Sequence, residues 1–180
     1  MEKATPKEKK LSKILREFAA GGVVFKRFNG EILWLITKSS PSKDYPQSYW
    51  RLPKGWLDDK EKGTKPGSLT IGLIKATERD LQKAALREVS EEGGVQAKIV
   101  KKLETEKLFF SVSGQKILKF VTFYLMEWLT NLPEGPGFET SEVAWLTFED
   151  ARKKLKYPSE KKVLDKAKEI LDSGLQENLI

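Results

Sequence analysis

The stretch Arg87-Glu88-Val89-Ser90-Glu91-Glu92-Gly93-Gly94-Val95 (REVSEEGGV) decides how the rest of the chain is read. Its three glutamates, Glu88, Glu91 and Glu92, are spaced i, i+3, i+4, so a helix of 3.6 residues per turn puts them on one face. Leu81–Leu86 (LQKAAL) before them is helix-prone, and Gly93-Gly94 after them is a helix stop. Like charges at that spacing repel, and acidic side chains sit badly at the negative end of a helix dipole. Three carboxylates placed where their own helix disfavours them call for a counter-charge. One reading is a solvated acidic face partnered by Arg87 and Lys83. The other is a hard divalent cation, since Mg²⁺ takes oxygen ligands and binds carboxylates together with substrate phosphates.

Working outward, Trp50-Arg51-Leu52-Pro53-Lys54-Gly55 (WRLPKG) reads as a strand running into a turn. Together the two stretches resemble the two halves of the Nudix box. The second half matches at every defined position from Arg87 to Val95, and Ala84-Ala85 stand where that family has small residues. The spacing departs from the family pattern: 31 residues separate Gly55 from Arg87 where the pattern has thirteen, an excess of 18. Counted back from Arg87, the pattern's first glutamate falls on Arg79, with Glu78 one place off.

The resemblance implies an α+β fold, an α/β/α sandwich in which a mixed β-sheet is flanked by helices. It implies a metal-dependent hydrolase of phosphoanhydride bonds, with Glu88, Glu91, Glu92 and Gly55 as metal-holding positions, Mg²⁺ or Mn²⁺ as the ion, and Arg87, Glu88 and Glu91 in the catalytic set. In the family a glutamate a few residues before a Trp completes the metal site or acts as base, and Glu139 and Glu142, ahead of Trp145, are the candidates. The Leu-Pro-Lys-Gly form is common in enzymes that cut dinucleoside polyphosphates, and the tail Trp145–Leu164 (WLTFEDARKKLKYPSEKKVL) is similar to the end of diadenosine-tetraphosphate hydrolases.

Composition narrows the chemistry independently. The 180 residues contain no cysteine and no histidine, which removes disulfides, thiolate or imidazole metal sites, and histidine bases. Acid–base work therefore falls to carboxylates, Lys or Tyr. The net charge of +7 suits a polyanion such as a nucleotide, a polyphosphate or an RNA end, or else reflects a Lys/Glu-rich solubilising surface. Lys54 in its Pro-Lys-Gly turn and Lys119 are placed to meet phosphate, while Trp50 and Tyr157 offer stacking surfaces for a base, packing being the alternative for each. Apolar runs such as Ile32–Ile36 are far too short to span a membrane and no signal peptide is legible, so a cytoplasmic protein, monomer or homodimer, is expected.

The remaining chain reads as one domain over residues 18–172. Residues 1–17 form a basic extension, with Leu11, Ile14 and Leu15 spaced for a helical stripe, and 173–180 a tail. Phe18–Phe25 and Ile32–Thr37 read as strands joined at Asn29-Gly30, and Gly21-Gly22 as a place where a strand passes close to something. Further strands are expected at Ala97–Thr105, Lys107–Val112 and Lys119–Trp128. Helices are expected from Glu78 to Glu92, capped by Thr77 with Asp80, and at Phe148–Leu155 and Glu160–Leu171. Asp58–Leu73, the bulk of an insertion over about 58–75, reads as a mobile surface loop or lid. A non-catalytic nucleotide- or RNA-binding module is the alternative function. The candidate substrates are dinucleoside polyphosphate, the 5′-triphosphate end of RNA, ADP-ribose and diphosphoinositol phosphate.

Overall fold

Residue-level chemistry sets the first hairpin. In the computed structural model, which describes residues 13–177 with side chains through Gly174, strands β1 (Leu15–Phe28) and β2 (Glu31–Ser39) meet at Asn29-Gly30. Both turn residues have positive φ (49° and 81°), the primed geometry that matches strand twist and that Asn-Gly adopts at little cost. Of the expected N-terminal stripe, Leu11 lies outside the described residues and Leu15 is in β1. There it pairs with Ile117, because a strand register supplies it more backbone partners than a frayed helical turn.

The mixed seven-stranded sheet runs β3 (Trp50–Arg51), β2, β1, β8 (Gln115–Asn131), β7 (Val95–Val112), with β1 and β8 parallel at its centre. β4 (Lys54–Trp56) pairs with β1, and β9 (Thr140–Leu146) with β2. The two strands expected at 97–105 and 107–112 are one strand, β7. Register shifts at Gln96/Ala97, Ile99/Lys101 and Lys102/Thr105 bend it, but the pairing with β8 persists across them. Two residues of β5 (Asp59–Lys60) and two of β6 (Lys65–Pro66) make a separate small hairpin.

Alternation along β1 and β8 feeds two cores. Ala19, Val23, Phe25, Val121, Phe123 and Leu125 face α2 (Phe148–Lys154) and α3 (Pro158–Glu177); Ala20, Val24, Tyr124 and Met126 face α1 (Glu78–Gly93). The result is the expected α/β/α sandwich. α3 continues through residues 173–177, beyond the expected start of a tail.

Helix α1 begins as its sequence dictates: Thr77 Oγ1 accepts from the Asp80 amide at 3.2 Å and Asp80 Oδ2 accepts from the Thr77 amide at 2.8 Å. It ends at Gly94, φ 66°, whose amide donates to the Ser90 carbonyl. The expected close approach at Gly21-Gly22 is where α1 and the Pro53-Lys54 turn meet β1. A Cβ on Gly22 would lie 2.5 Å from Val89 Cγ2 and 2.9 Å from Met126 Sδ, and one on Gly21 would overlap the Pro53 carbonyl.

The insertion is a built element. Asp58 Oδ1 and Oδ2 accept from the Thr70 and Leu69 amides at 2.8 and 3.1 Å, Thr70 Oγ1 donates to the Asp58 carbonyl at 2.8 Å, and the Phe18 amide donates to the Thr70 carbonyl. Thr70 is fully buried. The insertion, expected as a mobile surface loop or lid, carries at its base a hydrogen-bond clasp made by one aspartate and one threonine.

Candidate active site

Helix α1 and the Pro53–Leu57 segment form one wall of a cleft of about 1120 Å³. The i, i+3, i+4 spacing separates the three glutamates by environment. Glu88 and Glu92 turn toward the sheet and are buried (8% and 3% exposed), whereas the Glu91 side chain is 61% exposed at the mouth.

Glu88 lies directly against Gly55, where any Cβ would overlap its carboxyl group. Burial pushes its carboxyl up to about 7, opposed by a 2.7 Å bond from Arg87 Nη2 and reinforced by the charges of Glu92 and Glu91. Arg87 serves two surfaces at once. The same Nη2 donates to the Trp56 carbonyl at 2.6 Å and Nη1 to the Leu57 carbonyl at 3.3 Å, so the guanidinium ties the Gly55 turn to α1. Glu78, one place from the pattern's first glutamate, takes no part in this bracing; it accepts from Tyr124 Oη at 2.7 Å and Lys102 Nζ at 2.6 Å at the far end of α1.

Glu92 accepts from Arg51 Nη2 at 2.5 Å and from the Lys54 amide at 3.0 Å. Burial raises its carboxyl, against the pull of Arg51 and Lys54. Among the described residues no three acidic side chains converge into a metal-sized group. The expected trio therefore separates: Glu92 is spent on Arg51, Glu91 reaches toward Arg87 Nε at 3.8 Å, and Glu88 stands against Gly55.

Lys54 and Lys119 line the cleft as expected, but each already has a carboxylate. Lys54 Nζ pairs with Glu160, which is 1% exposed and also accepts from the Leu52 amide at 3.2 Å. Lys119 Nζ lies 3.5 Å from Glu17 Oε2, an oxygen that also accepts from Trp56 Nε1 at 3.1 Å. Burial lowers the Lys119 ammonium below its ordinary range, with Glu17 opposing.

Glu139 lines the cleft; Glu142 does not, pairing instead with Lys38 at 2.7 Å on the exposed side of β9. Trp50 packs on the α2/α3 core with Lys38 and Lys154 over its ring, and Tyr157 stacks edge-on against Tyr49 at 5.3 Å. Both are half-buried and neither lines the cleft. Tyr45 is the tyrosine that does line it.

Sequence reasoning passed over Arg51, Glu17 and Glu160. Glu160 carried a legible signal: it shares an i, i+3, i+4, i+7, i+11 stripe with Val163, Leu164, Ala167 and Leu171, all buried. A lone carboxylate on an apolar stripe implies a buried cation beside it. Arg51 and Glu17 gave no comparable signal.

Against known proteins, the NUDIX domain model matches residues 16–167. The chain belongs to the NUDIX domain family. A solved Ap4A hydrolase of C. elegans, in a binary complex, is 25% identical, with a TM-score of 0.59 over 87% of this chain and 98% of that one. The NUDIX domain of Shewanella oneidensis NrtR, solved with ADP ribose, shares the fold at 16% identity and TM-score 0.59, covering 92% of this chain and 94% of its own. A Mycobacterium tuberculosis protein carrying the mutator name MutT4 is 25% identical over 162 residues, or 88% of this chain; the chain spans 57% of that relative's length. Proteins of this family act on pyrophosphate-containing substrates and generally use divalent metal ions. None of its described helices is long and apolar enough to cross a membrane.

Proposed function

We propose that this Nudix domain hydrolyses a phosphoanhydride bond of a dinucleoside polyphosphate, with Mg²⁺ or Mn²⁺ as cofactor. The observation that carries the reading is Glu88: a buried carboxyl pressed on the Gly55 backbone and facing the cleft, its ionised form destabilised by burial and by two neighbouring carboxylates. Such a group is relieved by a cation. Glu88, Glu91 and the backbone of Gly55 are hard oxygen donors of the kind these ions take. A bound divalent ion supplies positive charge to the phosphates and acidifies a bound water.

The chain's own residues do the rest. Arg87 holds Glu88 and the Gly55 turn in fixed relation, so the donor set is organised before substrate arrives. Glu92, neutralised by Arg51 and bonded to the Lys54 amide, fixes the turn from the other side. Glu139, exposed within the cleft, is the base: it takes a proton from the attacking water as the water oxygen bonds to phosphorus and the bridging P–O bond breaks. The likeness to the C. elegans Ap4A hydrolase and the volume of the cleft favour two nucleosides joined by a phosphate chain over a single compact diphosphate.

The test is product release with Mg²⁺ or Mn²⁺ across diadenosine tetraphosphate, 5′-triphosphorylated RNA, ADP-ribose, diphosphoinositol phosphate and nucleoside triphosphates. A marked preference for the tetraphosphate, lost by at least about 100-fold in kcat in Glu88→Gln and Glu91→Gln with the fold retained, is the expected result. Unchanged turnover in those variants would sink the residue assignment. Tight nucleotide binding without turnover by the wild type would make the domain a binding module.

A further inference from the structure

Among the described residues, five basic side chains line the cleft, and four are committed. Arg51 is paired with Glu92, Lys54 with Glu160, Arg87 with Glu88 and Glu91, and Lys119 with Glu17. The fifth, Lys62, has no carboxylate within ion-pair distance among the described residues, although Asp59 of its own hairpin also lines the cleft. It stands at the tip of the β5–β6 hairpin, inside the segment that lengthens the family pattern by 18 residues.

The tip is shaped. Glu61, Lys62 and Gly63 have φ of 52°, 58° and 84°, three consecutive residues in the left-handed region, two of them carrying a Cβ. That region is disfavoured for a non-glycine residue, so surrounding bonds must hold it there. Thr64 Oγ1 donates to the Glu61 carbonyl at 2.9 Å and Lys65 Nζ pairs with Glu61 at 2.9 Å, leaving Lys62 as the tip's unpaired cation among the described residues. At its base the insertion is closed on itself by the Asp58–Thr70 bonds and tied to β1 by the Phe18 amide. A lysine held at the mouth of an anion-binding cleft, on a fixed arm and without an internal counter-charge, is poised for a charge that arrives with the ligand.

We infer that the β5–β6 hairpin forms a distal phosphate subsite, in which Lys62 pairs with a phosphate of the substrate chain away from the bond being cut. This rests on the polyphosphatase reading above. The ligand class is a nucleoside polyphosphate with more than two consecutive phosphates, the bond being cut lying at the Glu88 wall and a further phosphate at the hairpin tip. The subsite acts on selectivity and adds nothing to the chemical step, so its effect belongs in KM.

The experiment compares wild type, Lys62→Ala, Lys62→Arg and Lys62→Glu on diadenosine tetraphosphate and on ADP-ribose, and measures inorganic tripolyphosphate binding by calorimetry. An exposed pair at this position is worth up to about a fivefold change. KM for the tetraphosphate should rise about threefold to fivefold in Lys62→Ala and further in Lys62→Glu, stay near wild type in Lys62→Arg, and leave kcat and all ADP-ribose constants unchanged. Tripolyphosphate should bind Lys62→Ala correspondingly more weakly, a readout independent of turnover. Equal tripolyphosphate affinity for wild type and Lys62→Ala overturns the subsite. A wild type that turns over neither substrate defeats the enzymatic reading instead, and the calorimetry still decides on Lys62.

Discussion

At the residue scale the site is governed by one buried carboxyl that Arg87 relieves only in part. Glu88 is raised to about 7 in the folded protein by burial and by Glu92 and Glu91, against an ordinary value near 4.5. A raised carboxyl stabilises the fold only while it is protonated. In a metal chelator its contribution is fully present below about pH 4.5 and is lost as pH climbs through 7. Denaturant unfolding at pH 5 and pH 8 should show wild type losing about 2 kcal/mol more than Glu88→Gln, and millimolar Mg²⁺ or Mn²⁺ should restore part of that at pH 8. Equal pH slopes in the two proteins would mean that Glu88 is not the strained group. The identity of this residue was legible in the REVSEEGGV spacing. Its difference from Glu92 was not, because both share one helical face, and only Arg51 arriving from β3 neutralises one of them.

At the scale of elements, α3 is joined to the cleft by Glu160. Its carboxylate holds Lys54 Nζ and the Leu52 amide together, so the turn that carries Gly55 is fixed from below by a helix more than 100 residues later. Removing one partner of a buried pair leaves a buried charge, which costs about 3 kcal/mol, whereas an isosteric amide keeps much of the hydrogen bonding. Glu160→Ala should therefore lower stability by about that amount in urea titration, with Glu160→Gln between it and wild type. If Glu160→Ala unfolds like wild type, Lys54 has another partner. The elements themselves follow from local chemistry: the Thr77–Asp80 box starts α1, Gly94 ends it, and Asn29-Gly30 turns the first hairpin. The insertion followed no such rule. Its Gly, Lys and Asp content reads as loop, and the Asp58–Thr70 clasp depends on twelve residues of chain folding back on themselves.

At the scale of the whole molecule, two helical layers reach a common sheet because β1 is bare where α1 crosses it. Gly22→Val would drive a side chain into Val89 and Met126, costing about 2 kcal/mol and lowering Tm by about 6 °C in calorimetry. A Tm unchanged by that substitution would show that α1 can ride higher on the sheet without loss. By itself the sequence determined the caps and turns and the stretch that carries the acid groups, since these rest on spacing and residue-specific backbone preference, and its resemblance to the Nudix box carried the family and the sandwich. Which charges remain available was decided only by the tertiary structure. Lys54, Lys119 and Glu92 are spent on Glu160, Glu17 and Arg51, and Trp50, Tyr157 and Glu142 do not line the cleft. Pairing between buried charges depends on which residues the sheet and α3 bring within a few ångströms, and separation along the chain carries no record of that distance.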